Sequence, residues 1–358
     1  MCEHLPADAV RPCHLHLVRA APVRAGPVFD HLHRLTDERG LFEHAEYAQP
    51  RPEHGYCVDD VARALLVTCR EPDPSDEVVA LGRLYLRFTL SAVQEGGACH
   101  NRMDLDGCWT DRPGWGDWWG RALWGLGVAA VHAPTADLRG AALTGFRRAA
   151  KGRSTHPRAL AFAALGAGEL LLDRPGDSWA QKLLIDAVEA VGRLGGDPAW
   201  PWPWPRLTYA SGAIVEALLL AGSGLPDPSA YDDGLNLLDF LLGAQTHAGH
   251  LSATPVSGRG PGEWLPAFDQ QPIEVAALAD ACARAFSLTS NPRWLAGVRA
   301  AWAWFLGDND RGLPMFNAST GGGYDGLTAD GRNLNQGAES TLAMLSTAQH
   351  ARRLGVWT

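Results

Sequence analysis

The sequence EHGYCVDDVARALL, from Glu53 to Leu66, joins a polar stretch to a helix-like run that is apolar on nearly every side. A helix without a polar face is buried, whereas a helix that covers a protein has one charged face. Two adjacent carboxylates, Asp59 and Asp60, stand at the junction. Such acids can cap the first turn of a helix, and they can also carry chemistry. Similar junctions recur along the chain, and that recurrence predicts the fold.

Two kinds of helical segment alternate through the sequence. The first kind is apolar all round and rich in Ala, Gly and Leu, and it covers roughly 58–70, 117–131, 157–172, 211–221, 272–286 and 336–350. The second kind is charged on one face, and it covers roughly 28–37, 76–94, 136–150, 178–194, 228–245 and 292–306. Six buried helices alternating with six amphipathic ones are typical of an (α/α)6 toroid.

The predicted fold class is therefore all-α, with a closed inner ring of helices inside an outer ring. Closing the ring requires every helical pair, so we predict one domain over residues 26–358, with an N-terminal arm over residues 1–25. In such a toroid the N-terminal ends of the inner helices meet at one mouth. Their unsatisfied amide groups and dipoles favour polar ligands there.

Composition excludes several classes of function. The 358 residues carry a formal net charge of −9, and no basic cluster suggests a nucleic-acid or anionic-membrane partner. No apolar run is long enough to cross a bilayer, and the N-terminus lacks a signal-peptide core, so we expect a cytoplasmic protein. Seven irregularly spaced cysteines fit a reducing compartment.

No metal and no cofactor are predicted. The stretch PCHLHL supplies Cys13, His14 and His16, but no second ligand pair follows at zinc-finger spacing. The sequence also lacks a G-x-S-x-G elbow and a phosphate-binding loop. GGGYDG, from Gly321 to Gly326, is interpreted as a flexible loop at the rim.

Acidic side chains recur at the predicted mouth, together with aromatic rings and amides. The acids are Asp59, Asp60, Asp117, Asp269, Glu274 and Glu339. The aromatic residues include Tyr56, Trp118, Trp119, Trp202, Trp204, Tyr209 and Trp264, and the amides are Gln270, Gln271, Asn335 and Gln336. Aromatic faces stack on sugar rings, and amides and carboxylates bind hydroxyl groups. The combination predicts a carbohydrate ligand.

Glycoside hydrolysis needs two carboxyl groups, one protonated and one ionised. The predicted catalytic residues are Asp60, Asp269 and Glu339, with Asp117 and Glu274 in reserve. Arg63 and Arg121 lie just inside inner helices, and buried arginines are almost always paired, so we expect them to bind acids of the mouth. We predict that Asp59 pairs with Arg63 or caps the helix, and that Asp60 faces the ligand. The predicted substrate-binding residues are His54, Tyr56, Asp59, Arg63, Asp117, Trp118, Arg121, Trp202, Trp204, Tyr209, Gln270, Gln271, Glu274, Asn335 and Gln336.

The stretch from Phe29 to Leu66, with its HGYCVDDVARAL block, resembles a bacterial family of (α/α)6 six-hairpin glycosidase-like proteins. GDWWGRALWGLG, FDQQPIEVAALADAC and NLNQGAEST resemble further blocks of the same family, so the likeness covers nearly the whole chain. Val61 stands where the family usually has Asn. The resemblance implies a carbohydrate-active toroid, either alone or with a glycosyltransferase partner.

Three functions remain open from the sequence. The leading one is a metal-independent glycoside hydrolase that acts on an oligosaccharide, with inversion slightly favoured. The second is a sugar isomerase of the N-acylglucosamine 2-epimerase type, which the resemblance would route through histidines such as His54 or His156. The third is a non-catalytic glycan-binding partner of a glycosyltransferase.

Overall fold

A computed structural model describes residues 28–192 and 194–357. The predicted N-terminal arm, with Cys13, His14 and His16, lies outside the described residues. Twelve α-helices are present in the described part of the chain. They are α1 (Asp30–Arg34), α2 (Val58–Arg70), α3 (Asp76–Ala92), α4 (Asp117–His132), α5 (Ala136–Ala149), α6 (Pro157–Asp173), α7 (Ser178–Val191), α8 (Ser211–Gly224), α9 (Ser229–Ala244), α10 (Pro272–Thr289), α11 (Pro292–Leu306) and α12 (Ala338–Arg353).

The even-numbered helices form a closed inner ring. Each packs on the next around the ring, and α12 returns to pack on α2. Helices α3, α5, α7, α9 and α11 pack outside the ring. The inner helices are buried on all sides, and in α6 every residue from Ala159 to Leu171 is buried. The predicted (α/α)6 toroid is confirmed.

The first outer position differs from the prediction. The sequence predicts an outer helix over residues 28–37, but α1 has only five residues. The chain then forms an isolated bridge between Thr36 and Leu41. His31 and Leu32 are fully buried in this short helix, which packs against inner helix α12.

Every strand in the described residues lies in a connection that leads from an outer helix into an inner one. The strands form five short antiparallel pairs. They are β1 (Ala45–Glu46) with β2 (Gln49–Pro50), β3 (Tyr56–Cys57) with β4 (Arg102–Met103), β5 (Thr246–His247) with β6 (His250–Leu251), β7 (Phe316–Asn317) with β8 (Gly322–Gly323), and β9 (Gly326–Thr328) with β10 (Gly331–Asn333).

The connections at the other end of the ring are short turns, such as residues 133–135 and 290–291. Long connections therefore gather at the N-terminal mouth of the inner ring, where they can shape a site. No helix of the described chain is long and apolar enough to cross a bilayer.

Glycines let the inner helices approach closely. A Cβ atom added at Gly166 of α6 would lie 2.2 Å from the carbonyl oxygen of Leu123 on α4. By contrast, a Cβ atom added at Gly140 on outer helix α5 would have no other atom within 4 Å. The absence of a side chain at Gly166 thus allows the close approach of α6 to α4.

These two glycines give a matched test of the ring packing. We expect Gly166→Ala to lower the free energy of unfolding by about 2 kcal/mol or more, because two backbones must separate. Gly140→Ala should raise it by about 0.5–1 kcal/mol, because alanine is the better helix former. Urea unfolding of both variants measures this difference. Equal effects of the two substitutions would contradict the packing described here.

Candidate active site

The mouth of the inner ring holds a cavity of about 520 Å³, here called the mouth cavity. Five of the six inner helices, or the residues just before them, contribute to its wall. It is lined by Glu43, His44, Cys57, Asp59, Asp60, Arg63, Asp117, Arg121, Tyr209, Gln271, Asp325, Asn333, Gly337, Glu339 and Ser340. Residues far apart in the sequence therefore meet in one polar bowl, as the toroid predicts.

The inner helices begin here without side-chain caps of their own. In the described chain, no N-cap side chain accepts a hydrogen bond at the start of any inner helix. Outer helix α3, in contrast, is capped by Ser75, and outer helix α7 by Asp177. The positive ends of six helix dipoles thus converge on the mouth and favour acidic groups there.

Two of the mouth acids bind backbone amides that precede a different helix. Glu274 of α10 accepts a hydrogen bond of 2.6 Å from the Ala210 amide, just before α8. Asp325, in the loop between β8 and β9, accepts one of 2.8 Å from the Gly337 amide, just before α12. Capping therefore does explain some of the mouth acids, but it acts between elements and not within one helix.

Arg63 is the central cation of the cavity. Its Nη2 donates to the carboxylate of Asp60, and its Nη1 donates to Oε2 of Glu339 at 2.7 Å. Its Nε donates to the main-chain carbonyl of Asp59 at 3.2 Å. Because Glu339 belongs to α12, this guanidinium joins the first inner helix to the last one.

Arg121 of α4 is the second buried cation, and it is only 2% exposed. Its Nε lies 3.3 Å from Oδ1 of Asp59, and its Nη2 donates to the Tyr209 hydroxyl. The guanidinium carbon also lies 4.4 Å from the ring centroid of Phe162. Tyr209 in turn donates to Oε2 of Glu339 at 2.8 Å, so the two arginines and Glu339 form one connected network.

The predicted partner of Arg63 differs in the structure, whereas Asp59 and Asp60 both line the mouth cavity. Asp60, and not Asp59, supplies the carboxylate that Arg63 binds, and its side chain is only 3% exposed. Asp59 pairs with Arg121, and its side chain is 24% exposed toward the cavity. Spacing alone permits either acid, because residues three or four apart are neighbours on a helix. Asp60 shares the buried face of α2 with Arg63, whereas Asp59 is more exposed. Asp60 also accepts a hydrogen bond from the Cys57 thiol at 3.1 Å.

The carboxyl groups of the mouth differ in their proton affinity. Burial opposes the ionisation of Glu339, but Arg63 and Arg121 outweigh it and hold the pKa of Glu339 below its usual range. Burial raises the pKa of Asp60 to about 6, against the pull of Arg63. Burial also raises the pKa of Asp325, which forms no ion pair with an arginine in the described chain. One cavity thus holds an acid whose pKa is lowered beside others whose pKa is raised.

Glu43, Cys57 and Asp60 bring three potential metal-ligand atoms within 4.8 Å of one another. Both carboxylates already bind arginines, since Arg102 pairs with Glu43 and Arg63 with Asp60. Burial and the neighbouring acids also raise the pKa of the Cys57 thiol, which disfavours the thiolate that binds metals. These residues fit a hydrogen-bonded cluster better than a metal site.

Several predicted site residues do not line the mouth cavity. Asp269 is exposed, and its carbonyl accepts a hydrogen bond from the Val256 amide at 2.8 Å. Gln270 is fully buried and donates to Asp310 at 2.6 Å, so it holds loops together. Asn335 accepts from the Tyr47 amide at 2.9 Å, and Gln336 bonds to Thr320. Gln271 is the one predicted amide that lines the cavity.

Some of the predicted aromatic residues likewise lie outside the mouth cavity. Tyr56 is buried and donates to Asp37 at 2.6 Å, and the Trp118 indole donates to the Cys99 carbonyl at 2.7 Å. Trp202 and Trp204 pack edge to face and line a second cavity of about 540 Å³. Asp117 lines both cavities, so the second one adjoins the mouth.

The histidines stay at the margins of the mouth. His54 is exposed and packs edge to face on His44, with ring centroids 4.9 Å apart. His44 lines the mouth cavity with 52% of its side chain exposed, and His156 lines the adjoining cavity.

Five polar residues that line the cavity were not among the residues predicted from the sequence. All five precede or begin an inner helix, and they are Glu43, His44, Asp325, Asn333 and Ser340. Asp325 lies in GGGYDG, which was interpreted as a rim loop. An acid inside a glycine-rich connection that leads into an inner helix is the signal that could have identified it.

Comparisons with known proteins place the fold. No family model matches the chain, and no curated protein matches its sequence. Among solved structures, a cellobiose 2-epimerase from Bacillus thermoamylovorans superposes with a TM-score of 0.67 at 10% identity, over 92% of this chain and 96% of that one. A sugar epimerase from a ruminal bacterium gives 0.65 at 12% identity, over 90% and 94%. A GH76A α-1,6-mannanase from Salegentibacter gives 0.59 at 10% identity, over 91% and 96%. At these identities the likeness establishes the (α/α)6 toroid fold.

Glu274 gives a pH test of the mouth's electrostatics. Burial raises its pKa to about 8, although the Ala210 amide favours the ionised form. The folded state therefore retains a proton that the unfolded chain releases above about pH 4.3. Stability should fall as pH rises from about 4.3 to 8, by up to about 1.4 kcal/mol per pH unit from this group.

The free energy of unfolding of Glu274→Gln should fall less steeply with rising pH than that of the wild type. The variant should therefore be the more stable of the two at pH 8. Urea unfolding at pH 5, 6.5 and 8 measures the difference, with exposed Glu189→Gln on α7 as the control. If the free energies of unfolding of Glu274→Gln and the wild type changed equally with pH, burial would not raise the pKa of Glu274 as described.

Proposed function

We propose that the protein is a glycoside hydrolase that uses Glu339 as general base and Asp325 as general acid. The observation that carries this proposal is the opposite proton affinity of two carboxyl groups in one cavity. Glu339 is held ionised by two buried arginines, whereas Asp325 has no arginine partner in the described chain and burial raises its pKa. Pairs of acids with separated pKa values identify base and acid in many enzymes.

The contacts of Glu339 suit the base. Arg63 and Tyr209 both donate to its Oε2, which leaves Oε1 for a water molecule or a sugar hydroxyl. Its side chain is 32% exposed, so a ligand in the cavity can reach it. In the proposed reaction Glu339 removes a proton from the attacking water, and Asp325 protonates the leaving glycosidic oxygen.

Asp59 and Asp117 would bind the sugar in this scheme. Asp59 is fixed by Arg121 and by Asn101, whose amide nitrogen lies 3.3 Å from Oδ2. Asp117 stands between the mouth cavity and the cavity lined by Trp204, so it would contact adjoining sugar rings. Asp60 supports the site by binding Arg63. Asp269, which the sequence predicts as catalytic, is not among the residues that line the cavity.

A second candidate is a sugar epimerase. Its support is the position of His44 in the cavity wall and the resemblance in fold to a sugar epimerase and a cellobiose 2-epimerase. An epimerase breaks a C–H bond, so in D2O its product would gain deuterium at the inverted carbon. His44→Ala would abolish that exchange, and it should leave a hydrolase based on Glu339 largely active.

The roles of the two acids can be separated by the leaving group. We expect Glu339→Gln to lower kcat by roughly 100-fold or more on every substrate, because the base is needed in each case. Asp325→Asn should lose as much on a natural oligosaccharide, yet retain most activity on a nitrophenyl glycoside, whose leaving group needs no protonation. Steady-state kinetics on both substrates measures this difference.

Asp269→Asn is the matched control, because this exposed acid lies outside the cavity. It should keep the activity of the wild type. Equal losses of Asp325→Asn on both substrates, in a protein whose circular dichroism is unchanged, would contradict its role as the acid.

A further inference from the structure

A second polar cavity lies at the opposite end of the inner ring. Its volume is about 570 Å³, and residues from the C-terminal halves of the inner helices dominate its lining. Arg70 ends α2, and Arg353 ends α12. Ten residues of helix separate Asp60 from Arg70, which is about 15 Å along the axis. This C-terminal cavity is thus separate from the mouth cavity.

Carboxylates hold two guanidinium groups in fixed positions there. Arg70 lies 3.1 Å from Asp280, and Arg284 lies 3.3 Å from Glu216 and also pairs with Glu169. The carboxylates form the floor, with side chains that are 3–9% exposed. The two arginines lie nearer the opening, since Arg70 and Arg284 are 12% and 15% exposed.

Arg353 lacks a carboxylate of its own. It forms no ion pair with any described residue, and its Nη2 lies 2.9 Å from Nδ1 of His350. The other ring nitrogen of His350 bonds to Asp280, so Nδ1 acts as a neutral acceptor. Arg353 is exposed at the cavity, where Arg70 and Arg284 repel it and Glu169 and Asp280 attract it. A third guanidinium therefore lines the cavity without an ion pair of its own among the described residues.

Glu216 is the second unsatisfied group. It is 2% exposed, and its Oε2 has no hydrogen-bond partner among the described residues. Burial raises its pKa to about 7, with Arg284 and Arg70 opposing the shift and Asp280 and Glu169 adding to it. A carboxyl that retains its proton can donate a hydrogen bond to an anion.

We propose that the C-terminal cavity binds a small oxyanion, carried by a phosphate or carboxylate group, between Arg353, Arg284 and Arg70. Guanidinium groups match such anions with paired hydrogen bonds. The ligand would supply the negative charge that Arg353 lacks, while the buried carboxylates keep the other two guanidinium groups aligned.

Calorimetric titration of the full chain with inorganic phosphate, and separately with malonate, tests the proposal and distinguishes the two anion types. We expect one of the anions to bind with 1:1 stoichiometry. Arg353→Gln should weaken that binding at least tenfold, whereas Arg299→Gln, an exposed arginine on α11, should leave it unchanged. In titrations at pH 8, above the pKa of about 7 of Glu216, Glu216→Gln should strengthen it several-fold, because a negative charge beside Arg284 is removed.

The opposite signs of the two substitutions separate anion binding from damage to the fold, which thermal unfolding of each variant checks. Absence of binding by both anions would overturn the proposal. Equal binding by Arg353→Gln and Arg299→Gln, or weaker binding by Glu216→Gln, would also overturn it.

Discussion

The ion pair between Arg63 and Glu339 is the contact on which the site depends. It joins α2 to α12, so it holds together the two inner helices that close the ring. It also keeps Glu339 ionised in a place where burial would favour the protonated form. Removing Glu339 would leave the buried Arg63 charge with one carboxylate partner fewer. Closure of the fold and the charge of the proposed base thus rest on the same guanidinium.

The helix dipoles favour opposite charges at the two ends of the toroid. At the mouth, acids outnumber arginines, and the converging helix N-termini offset part of their repulsion. At the opposite end the dipoles favour cations, and Arg70, Arg353 and His132 all end inner helices. The helix dipoles disfavour negative charge at that end, and arginines stabilise the carboxylates there. An acidic mouth suited to hydroxyl groups, and a far end where arginines lie among carboxylates, both agree with the direction of the inner helices.

Helical periodicity was enough to predict the toroid, since the start of α2, α4, α6, α8 and α10 falls at the predicted residue. The mouth was predictable because inner helices of a toroid share a direction. The orientation of Asp59 and Asp60 was not, because adjacent residues on a helix face different ways and the sequence does not say which one meets the core. Asp325 was missed because its position depends on the loop between β8 and β9, whose path no periodicity describes. Gln270 was misjudged because a polar residue before a helix can equally bind loop backbone.

The proposed hydrolase would cleave a glycosidic bond in the mouth cavity. A proton NMR time course of the purified protein with gluco-, manno- and galacto-oligosaccharides would detect this cleavage. We expect new anomeric signals from at least one oligosaccharide, and the first anomer to appear reports inversion or retention. Conversion of a free sugar to its epimer, or line broadening of an oligosaccharide without any product, would contradict this proposal.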